Sequence, residues 1–309
     1  MGIDRADDGD APDRGPARRA DPGADAMPLL DPAERSAEHT RYRGNVEQTY
    51  PVARDAWAEA LAGLHCAWEE HVEKYPERAR LAPRTQPDGS WVAEGDRKLT
   101  PEQNAEASKA CADIREEGEH VILPAMHRIE AADPERHLAG LENKLKDEDR
   151  LKEKIADELL AKPEITVGQA LSTVADPVRF TFSYSSERYA DGVLADVDRL
   201  KADGFELIRL KNLWTNDQYK GINSQWRRPE SGLRFEMQFH TPESREAKEL
   251  THKAYERIRS SQASPAERRE LEDFQRRVNA LVLTPPGADE IKDFRRGRHG
   301  REDHLLRDC

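Results

Sequence analysis

The segment most informative about chemistry runs from Leu233 to His240 and alternates apolar and polar side chains. This alternation is typical of a β-strand with one buried face. It places four functional side chains together on the opposite face: Arg234, Glu236, Gln238 and His240. A carboxylate, an amide and an imidazole in one row can ligate a metal, take up a proton and orient a bound group. The alternative is an ordinary solvated sheet face, and helices predicted on both sides of the sheet favour the floor of a cleft instead.

Basic residues recur at four-residue spacing further upstream, at Lys146, Arg150 and Lys154, with Lys144 close by. We predict a long helix over residues 133 to about 162, on which the three spaced residues share one face. Three cations on one face can bind a polyanion. Acidic residues are interspersed among them, so a salt-bridged helix is the alternative that spacing alone favours.

A third group of candidates lies at the end of a predicted strand and in the loop after it. Lys211 stands near the strand end, and the loop contains Tyr219, Lys220, Gly221 and Asn223. An aromatic ring flanked by lysine and glycine can stack on a base while the lysine holds a phosphate. Loops also carry such residues for turn chemistry alone.

The elements that must position these residues are helical in the first half of the chain and mixed in the second. Helices are predicted over 51–76, from the capping box at Thr100, over 133–162, over 190–202, from Thr241 to about 260, and from Ser264 to about 283. Strands are predicted over 178–184, 205–214 and 233–240. The predicted order is therefore helices, then a small mixed sheet, then helices.

The composition limits the classes of function. With 49 Lys and Arg against 61 Asp and Glu, the net charge is −12, which argues against tight sequence-independent binding of the whole chain to nucleic acid. No apolar run is long enough to cross a membrane, and the first thirty residues lack the order of a signal peptide. We therefore expect no membrane partner and a cytoplasmic protein, with export by another route left open. Three cysteines form no CxxC pair, which favours a reducing compartment.

The two ends differ from the middle in composition. Residues 1–44 carry few apolar side chains, which predicts a disordered arm. A helical N-terminal region is expected over 45–132. We interpret 286–309 as a basic C-terminal tail that can contact RNA or an acidic partner, although a solvated tail is the simpler interpretation.

Several of these segments match a known set of motifs. The sequence Glu-Met-Gln-Phe-His-Thr at 236–241 is similar to a Glu-x-Gln-Ile-Arg-Thr strand, and His252 and Tyr255 follow as a His-x-x-Tyr pair. Lys-x-Lys-x3-Arg-x3-Lys at 144–154 is similar to an Arg-x-Lys-x3-Ser-x3-Lys donor motif with two of four positions substituted. Tyr-x-Gly-x-Asn at 219–223 is similar to a Tyr-x-Ser-x-His acceptor motif. In this order the motifs resemble the synthetase domain of the RelA/SpoT family, in a divergent branch of the toxin-like or secreted kind.

The first predicted strand departs from the family pattern. The family has Asp-x-x-Gly-x-Arg at that place, whereas Asp176 lies only three positions before Arg179 and no glycine intervenes. The interval from Lys211 to Tyr219 is also shorter than usual. No His-Asp doublet of a metal hydrolase occurs in the sequence, so no degradative half is expected.

The resemblance implies an α+β fold. A small mixed β-sheet of the nucleotidyltransferase-like synthetase type, flanked by helices, would occupy residues 133–285 behind the helical N-terminal region. The implied activity is that of an ATP-dependent nucleotide pyrophosphokinase, which transfers the β,γ-pyrophosphate of ATP to the 3′-hydroxyl of a purine nucleotide (GDP/GTP or ADP/ATP) and releases AMP. The implied cofactor is Mg²⁺, held by Asp176 and Glu236.

The resemblance also implies roles for the other candidates. Glu236 would accept the proton of the 3′-hydroxyl, and Gln238 would orient nearby groups. The ATP phosphates would contact four cations: Lys144, Lys146, Arg150 and Lys154. Tyr219 would stack on the acceptor base from an exposed position at the mouth of the cleft. The remaining nucleotide-binding residues are Arg179, Lys211, Asn223 and His240.

Two other functions stay open on the sequence. The same fold could modify RNA, for instance the 3′ end of tRNA, with the arginines between 295 and 301 contacting phosphates. The substitutions at Arg150 and Asn223 and the short spacing after Asp176 also suit a catalytically silent nucleotide-binding or protein-interaction module. An oligomer or an antitoxin partner is compatible with each of these functions.

Overall fold

The computed structural model describes residues 54–76, 82–259 and 263–296. The predicted disordered arm (1–44) and residues 297–309 of the tail predicted over 286–309 lie outside the described residues. Within the described part of that tail, Phe294 and Arg295 pair with a strand of the central sheet, so this part is not a free tail. The α-helices are α1 (Arg54–Lys74), α2 (Pro101–Glu117), α3 (Leu123–Ala131), α4 (Glu148–Ala161), α5 (Val167–Ser172), α6 (Tyr189–Ala202), α7 (Pro242–Arg259) and α8 (Pro265–Asn279). The strands are β1 (Arg84–Thr85), β2 (Trp91–Val92), β3 (Lys98–Leu99), β4 (Arg136–Ala139), β5 (Arg179–Tyr184), β6 (Glu206–Asn212), β7 (Ile222–Arg227), β8 (Arg234–His240) and β9 (Phe294–Arg295). Within the described ranges, no helix combines the length and apolar character that a membrane span requires.

Six strands form a central mixed sheet in the order β4-β5-β8-β7-β6-β9. β5 and β8 run parallel, and every other neighbouring pair in this sheet is antiparallel. Parallel strands need a crossover connection, which α6, β6 and β7 supply here. The mixed sheet, its helices and the helical region ahead of it confirm the predicted α+β fold class.

Alternation along the central strands separates an apolar face of the sheet from a polar one. Five side chains of the apolar face are at most 1% exposed: Phe180, Phe182, Phe235, Met237 and Phe239. They share one core with α6. On the polar face, Lys248 of α7 reaches Gln238. Helices therefore cover both faces, as the interpretation of the polar row as a cleft floor requires.

A smaller core lies under a three-stranded antiparallel sheet, β1-β2-β3, which the sequence does not predict. Trp91 is fully buried there, and its Nε1 donates to Asp149 of α4 over 2.9 Å. Strands of two residues are too short to show an alternating pattern. α2 begins where the sequence predicts it, because Thr100 and Gln103 form the reciprocal hydrogen bonds of a capping box.

The helix predicted over 133–162 is wrong in its first half. Arg136–Ala139 forms β4 and pairs with β5, a 3₁₀ turn follows at Leu141–Asn143, and α4 begins only at Glu148. Gly140 adopts φ = 67°, a left-handed conformation that interrupts a helix. The leucines at helical spacing mislead because the backbone groups of β4 find partners on β5, far along the chain.

A buried ion pair ties β4 to α6. Nη1 of Arg136 donates to Oδ1 of Asp196 over 2.6 Å, and neither side chain has any exposed surface. Arg136 also donates to the carbonyl oxygen of Ile129, and the hydroxyl of Tyr184 donates to Oδ2 of Asp196 over 2.7 Å. Removing one partner of such a pair leaves the other as an uncompensated buried charge.

We expect Asp196→Asn to lower the free energy of unfolding by about 3 to 5 kcal/mol, because Arg136 loses its counter-charge. Asp198→Asn on the same helix is the matched control, since that carboxylate is 80% exposed and 3.7 Å from Lys201. The control should change stability by about 1 kcal/mol or less. Urea denaturation followed by circular dichroism measures both, and equal losses would contradict the role of the buried pair.

Candidate functional site

The parallel pairing of β5 with β8 brings three predicted site residues together. Arg179, at the start of β5, is the register partner of Glu236 on β8, and Asp176 lies three residues earlier. Nε of Arg179 donates to Oε2 of Glu236 over 2.7 Å, and Nη2 donates to Oδ2 of Asp176 over 3.1 Å. One guanidinium therefore bridges two carboxylates at the amino-terminal ends of neighbouring strands.

Two lysines contact the same aspartate. Nζ of Lys146 donates to Oδ2 of Asp176 over 2.9 Å, and Nζ of Lys154 donates to Oδ1 over 2.7 Å. Lys154 lies within α4, whereas Lys146 precedes the helix and is held by a backbone hydrogen bond to the carbonyl of Pro177. The prediction that the two lysines share a helix face is therefore wrong, although both reach one carboxylate.

These contacts join five residues, which we name the ion cluster: Lys146, Lys154, Asp176, Arg179 and Glu236. Burial by itself raises the pKa of Asp176, but the positive charges of Lys146, Lys154 and Arg179 outweigh it and hold that pKa well below its usual range. Asp176 is therefore ionised at neutral pH. Each charge in the ion cluster has an opposite charge within hydrogen-bond distance.

Two cations of the predicted phosphate-binding set lie outside the ion cluster. Nζ of Lys144 is 3.1 Å from a carboxylate oxygen of Glu119. Arg150 pairs with Glu153 at 3.1 Å and with Glu256 of α7 at 3.6 Å. The structure thus gathers Lys146 and Lys154 at Asp176 and directs Lys144 and Arg150 to other partners.

A polar row crosses the sheet beside the ion cluster. The strand register aligns Thr181 with Gln238, Gln238 with Asn223, and Asn223 with Lys211. Cross-strand partners point to the same face, so three predicted site residues share this row. Gln238 and Asn223 are both buried, and Nζ of Lys248 donates to Oε1 of Gln238 over 2.7 Å.

The expectation that Tyr219 is exposed at the mouth of a cleft is wrong. Its side chain is buried, its hydroxyl donates to Oδ1 of Asn223 over 2.7 Å, and the same oxygen lies 2.9 Å from Nε2 of His240. The loop folds inward because Gly221 has φ = 144° and lies against the imidazole, where an added Cβ would come within 2.8 Å of the ring. In this conformation the Tyr219 ring is not open to stack on a base.

His240 ends β8 inside a buried hydrogen-bond chain. Its Nδ1 lies 2.8 Å from Oγ of Ser244, and its Nε2 meets Tyr219. The hydroxyl of Ser244 also donates to the carbonyl oxygen of Thr241 over 3.2 Å, and the hydroxyl of Tyr219 donates to Asn223. His240 therefore holds Tyr219 in place and faces the protein interior.

Two residues of the site are missing from the sequence-based prediction. Thr181 lies on the polar face of β5, and the alternation that identifies Glu236 is sufficient to find it. Lys248 carries no such signal, because it is one of many charged residues on α7. Its contact with Gln238 depends on how α7 crosses the sheet.

Among the solved structures similar to this chain are proteins from three bacteria. Small alarmone synthetase 1 from Bacillus subtilis, bound to its product pppGpp, is 14% identical, with 57% of this chain and 91% of that chain covered and a TM-score of 0.40. The protein smu.1046c from Streptococcus mutans UA159 is 13% identical, with coverages of 57% and 88% and a TM-score of 0.37. A GTP pyrophosphokinase family protein from Streptococcus pneumoniae is 14% identical, with coverages of 59% and 90% and a TM-score of 0.36. No family model matches the chain, and none of the curated proteins matches it in sequence.

We expect Tyr219→Phe to lower the free energy of unfolding by about 1 to 3 kcal/mol, because it removes the buried hydroxyl that the Asn223 side-chain oxygen and Nε2 of His240 contact. Tyr75→Phe is the control, since that exposed hydroxyl donates to Glu270 over 3.0 Å. The free energy of unfolding of this control should fall by about 0.5 kcal/mol or less. Thermal and urea denaturation compare the two, and a Tyr219→Phe protein as stable as the control would contradict the buried position of the hydroxyl.

Proposed function

We propose that the protein is a magnesium-dependent nucleotide pyrophosphokinase, which transfers the β,γ-pyrophosphate of ATP to the 3′-hydroxyl of a purine nucleotide and releases AMP. The ion cluster is the observation that carries this proposal. Asp176 lies three residues before β5, Glu236 lies on the parallel neighbour β8, Arg179 bridges the two carboxylates, and two lysines contact Asp176. Phosphoryl transfer requires both carboxylates and cations at one place. The motif resemblance supports the choice of reaction.

The cations of the ion cluster have the chemistry to neutralise phosphates. Transfer of a pyrophosphoryl group builds charge on nonbridging oxygens, and catalysis consists mainly of positioning and charge neutralisation. In the free protein, Lys146, Lys154 and Arg179 neutralise the two carboxylates. When a triphosphate binds, they exchange carboxylate oxygens for phosphate oxygens and stay paired throughout.

Asp176 and Glu236 fit a Mg²⁺ ion by their chemistry. Both offer hard oxygen ligands, and a single guanidinium contacts both carboxylates. Two carboxylates are a common protein contribution when phosphates and water complete the shell of Mg²⁺. Over the described residues there is no group of three or more His, Cys, Asp or Glu side chains placed to hold a metal. A bound Mg²⁺ would polarise the phosphates.

Glu236 is the residue that we assign to proton transfer. As the 3′-oxygen forms its bond to the β-phosphorus, the bond from that phosphorus to the bridging oxygen of the α-phosphate breaks. The hydroxyl proton passes to Glu236, and AMP leaves with the electron pair of the broken bond. Gln238 lies two residues further along the same face of β8, within reach of adjacent substrate groups.

The base of the acceptor stays unassigned between guanine and adenine. A stacking role for Tyr219 requires the ring to leave its contact with His240. The RNA alternative depends on arginines beyond residue 296, outside the described part of the chain, and Arg296 itself lies 3.2 Å from Glu206. A purine nucleotide acceptor therefore remains the proposal.

The direct test incubates the protein and Mg²⁺ with γ-labelled ATP and with GDP, GTP, ADP, ATP or tRNA in turn, then separates the products. Label transferred to a nucleotide, with AMP formed in equal amount, supports the proposal. Label in tRNA alone favours the RNA-modifying alternative. An absence of transfer to every acceptor favours a silent nucleotide-binding module.

We expect Glu236→Gln to reduce transfer by about 10²- to 10⁴-fold, because the amide cannot take up the proton. The fold should persist, since the amide oxygen still accepts from Arg179. Glu206→Gln, which alters a different ion pair with Arg227, is the control and should leave activity unchanged. Circular dichroism verifies both folds. Activity of Glu236→Gln within threefold of wild type would remove this residue from the mechanism.

We expect Lys154→Ala to raise the KM for ATP by about tenfold or more, with a smaller change for the acceptor, because a charged hydrogen bond to phosphate is lost. Lys162→Ala, at the exposed end of the same helix, is the control. A purely structural salt bridge between Lys154 and Asp176 predicts unchanged Michaelis constants in both variants. Steady-state kinetics with each substrate varied in turn distinguishes the two roles.

A further inference from the structure

Two buried amide nitrogens beside the ion cluster have no hydrogen-bond partner among the residues that the structure describes. They are Nε2 of Gln238 and Nδ2 of Asn223, and the two residues are register partners on β8 and β7. A buried N–H group without an acceptor is unfavourable, because it has lost water without a replacement. Two such groups in adjacent positions call for a common explanation.

The orientation of the Gln238 amide is fixed through its oxygen. Nζ of Lys248 donates to Oε1 of Gln238 over 2.7 Å. If the amide turned over, its N–H groups would face an ammonium group that has no lone pair to offer. The oxygen of Asn223 is occupied in the same way by the hydroxyl of Tyr219. In both residues the nitrogen is therefore the atom left to bind something else.

We propose that Lys248 is a positioning residue, which holds the Gln238 amide so that Nε2 donates to an oxygen atom of the bound substrate. This inference rests on the proposed function. The matching group is an oxygen with a free lone pair, such as a nonbridging phosphate oxygen or a ribose hydroxyl, whereas an amino group would set donor against donor. Both orphan nitrogens are shielded from solvent, so neighbouring side chains must shift when the oxygen arrives.

The charge of Lys248 also strengthens the donor that it orients. A cation bound to the amide oxygen draws electron density from the nitrogen, which makes the N–H groups better donors. Gln238 is the register partner of Thr181 and follows Glu236 by two residues on the same strand face. The oriented donor thus lies next to the carboxylate assigned to proton transfer.

Lys248→Met tests the proposal, because methionine keeps much of the stem and removes the donor. We expect kcat to fall by about 10- to 100-fold, with the KM for ATP within about threefold of wild type. Lys248→Arg should recover part of the rate, since it restores a donor. Lys253→Met, at an exposed lysine of the same helix, is the control for charge and stability. Unchanged kcat in Lys248→Met would overturn the proposal.

A double-mutant cycle tests whether Lys248 acts through Gln238. If it does, the protein with Lys248→Met and Gln238→Ala together should be no slower than Gln238→Ala alone. Losses that multiply would show an independent effect of Lys248 and would overturn the positioning role.

A measurement without substrate separates this inference from the proposed function. If wild-type protein transfers no pyrophosphate, the proposed function fails. The orienting effect of Lys248 on Gln238 is then tested by the NMR order parameter of the Gln238 side-chain NH₂ group. That order parameter should fall in Lys248→Met and stay at the wild-type value in Lys253→Met. Equal order parameters in the two variants would overturn the proposal that Lys248 orients Gln238.

Discussion

Two parallel strands cannot be joined by a tight turn, and the chain from β5 to β8 is built around that constraint. α6 returns the chain along the apolar face, and β6 and β7 extend the sheet before β8 enters beside β5. Because β5 and β8 then begin at the same edge, Asp176 and Arg179 meet Glu236. An antiparallel pair would place these charges at opposite ends of the two strands. The site therefore depends on strand direction before it depends on any single side chain.

The charges gathered at this edge are stable only as a set. Each member of the ion cluster has lost part of its water, and the desolvation cost is offset by partners a hydrogen bond away. The cations that keep Asp176 ionised are the same groups proposed to bind phosphates. Mutual neutralisation lets the free protein hold these groups close together. A ligand then needs only to replace one set of oxygens with another.

Patterns that depend on nearby residues predict most of the longer helices and three strands of the central sheet, but they miss β4, β7 and β9. Alternation identifies β5 and β8, and capping boxes locate α2 and α8. The helix predicted over 133–162 is wrong in its first half because β4 pairs with β5, and residue spacing within the segment cannot reveal a partner so far along the chain. Glu236 and Gln238 follow from a two-residue repeat. The burial of Tyr219 and the reach of Lys248 follow from a glycine backbone and a helix crossing, which appear only in three dimensions.

One contact accounts for two departures from the motifs that the sequence resembles. Where the acceptor motif ends in His the chain has Asn223, and where the strand motif has Arg it has His240. Both side chains meet the hydroxyl of Tyr219, one as acceptor and the other through its ring nitrogen. Position 240 is fully buried and Gly221 lies against its ring, so the longer arginine would have no room there. The imidazole on β8 and the amide on β7 therefore contact the same hydroxyl, and this shared contact couples the two substitutions to each other. Glu236 and Gln238, which precede His240 on β8, keep the residue types of the motif.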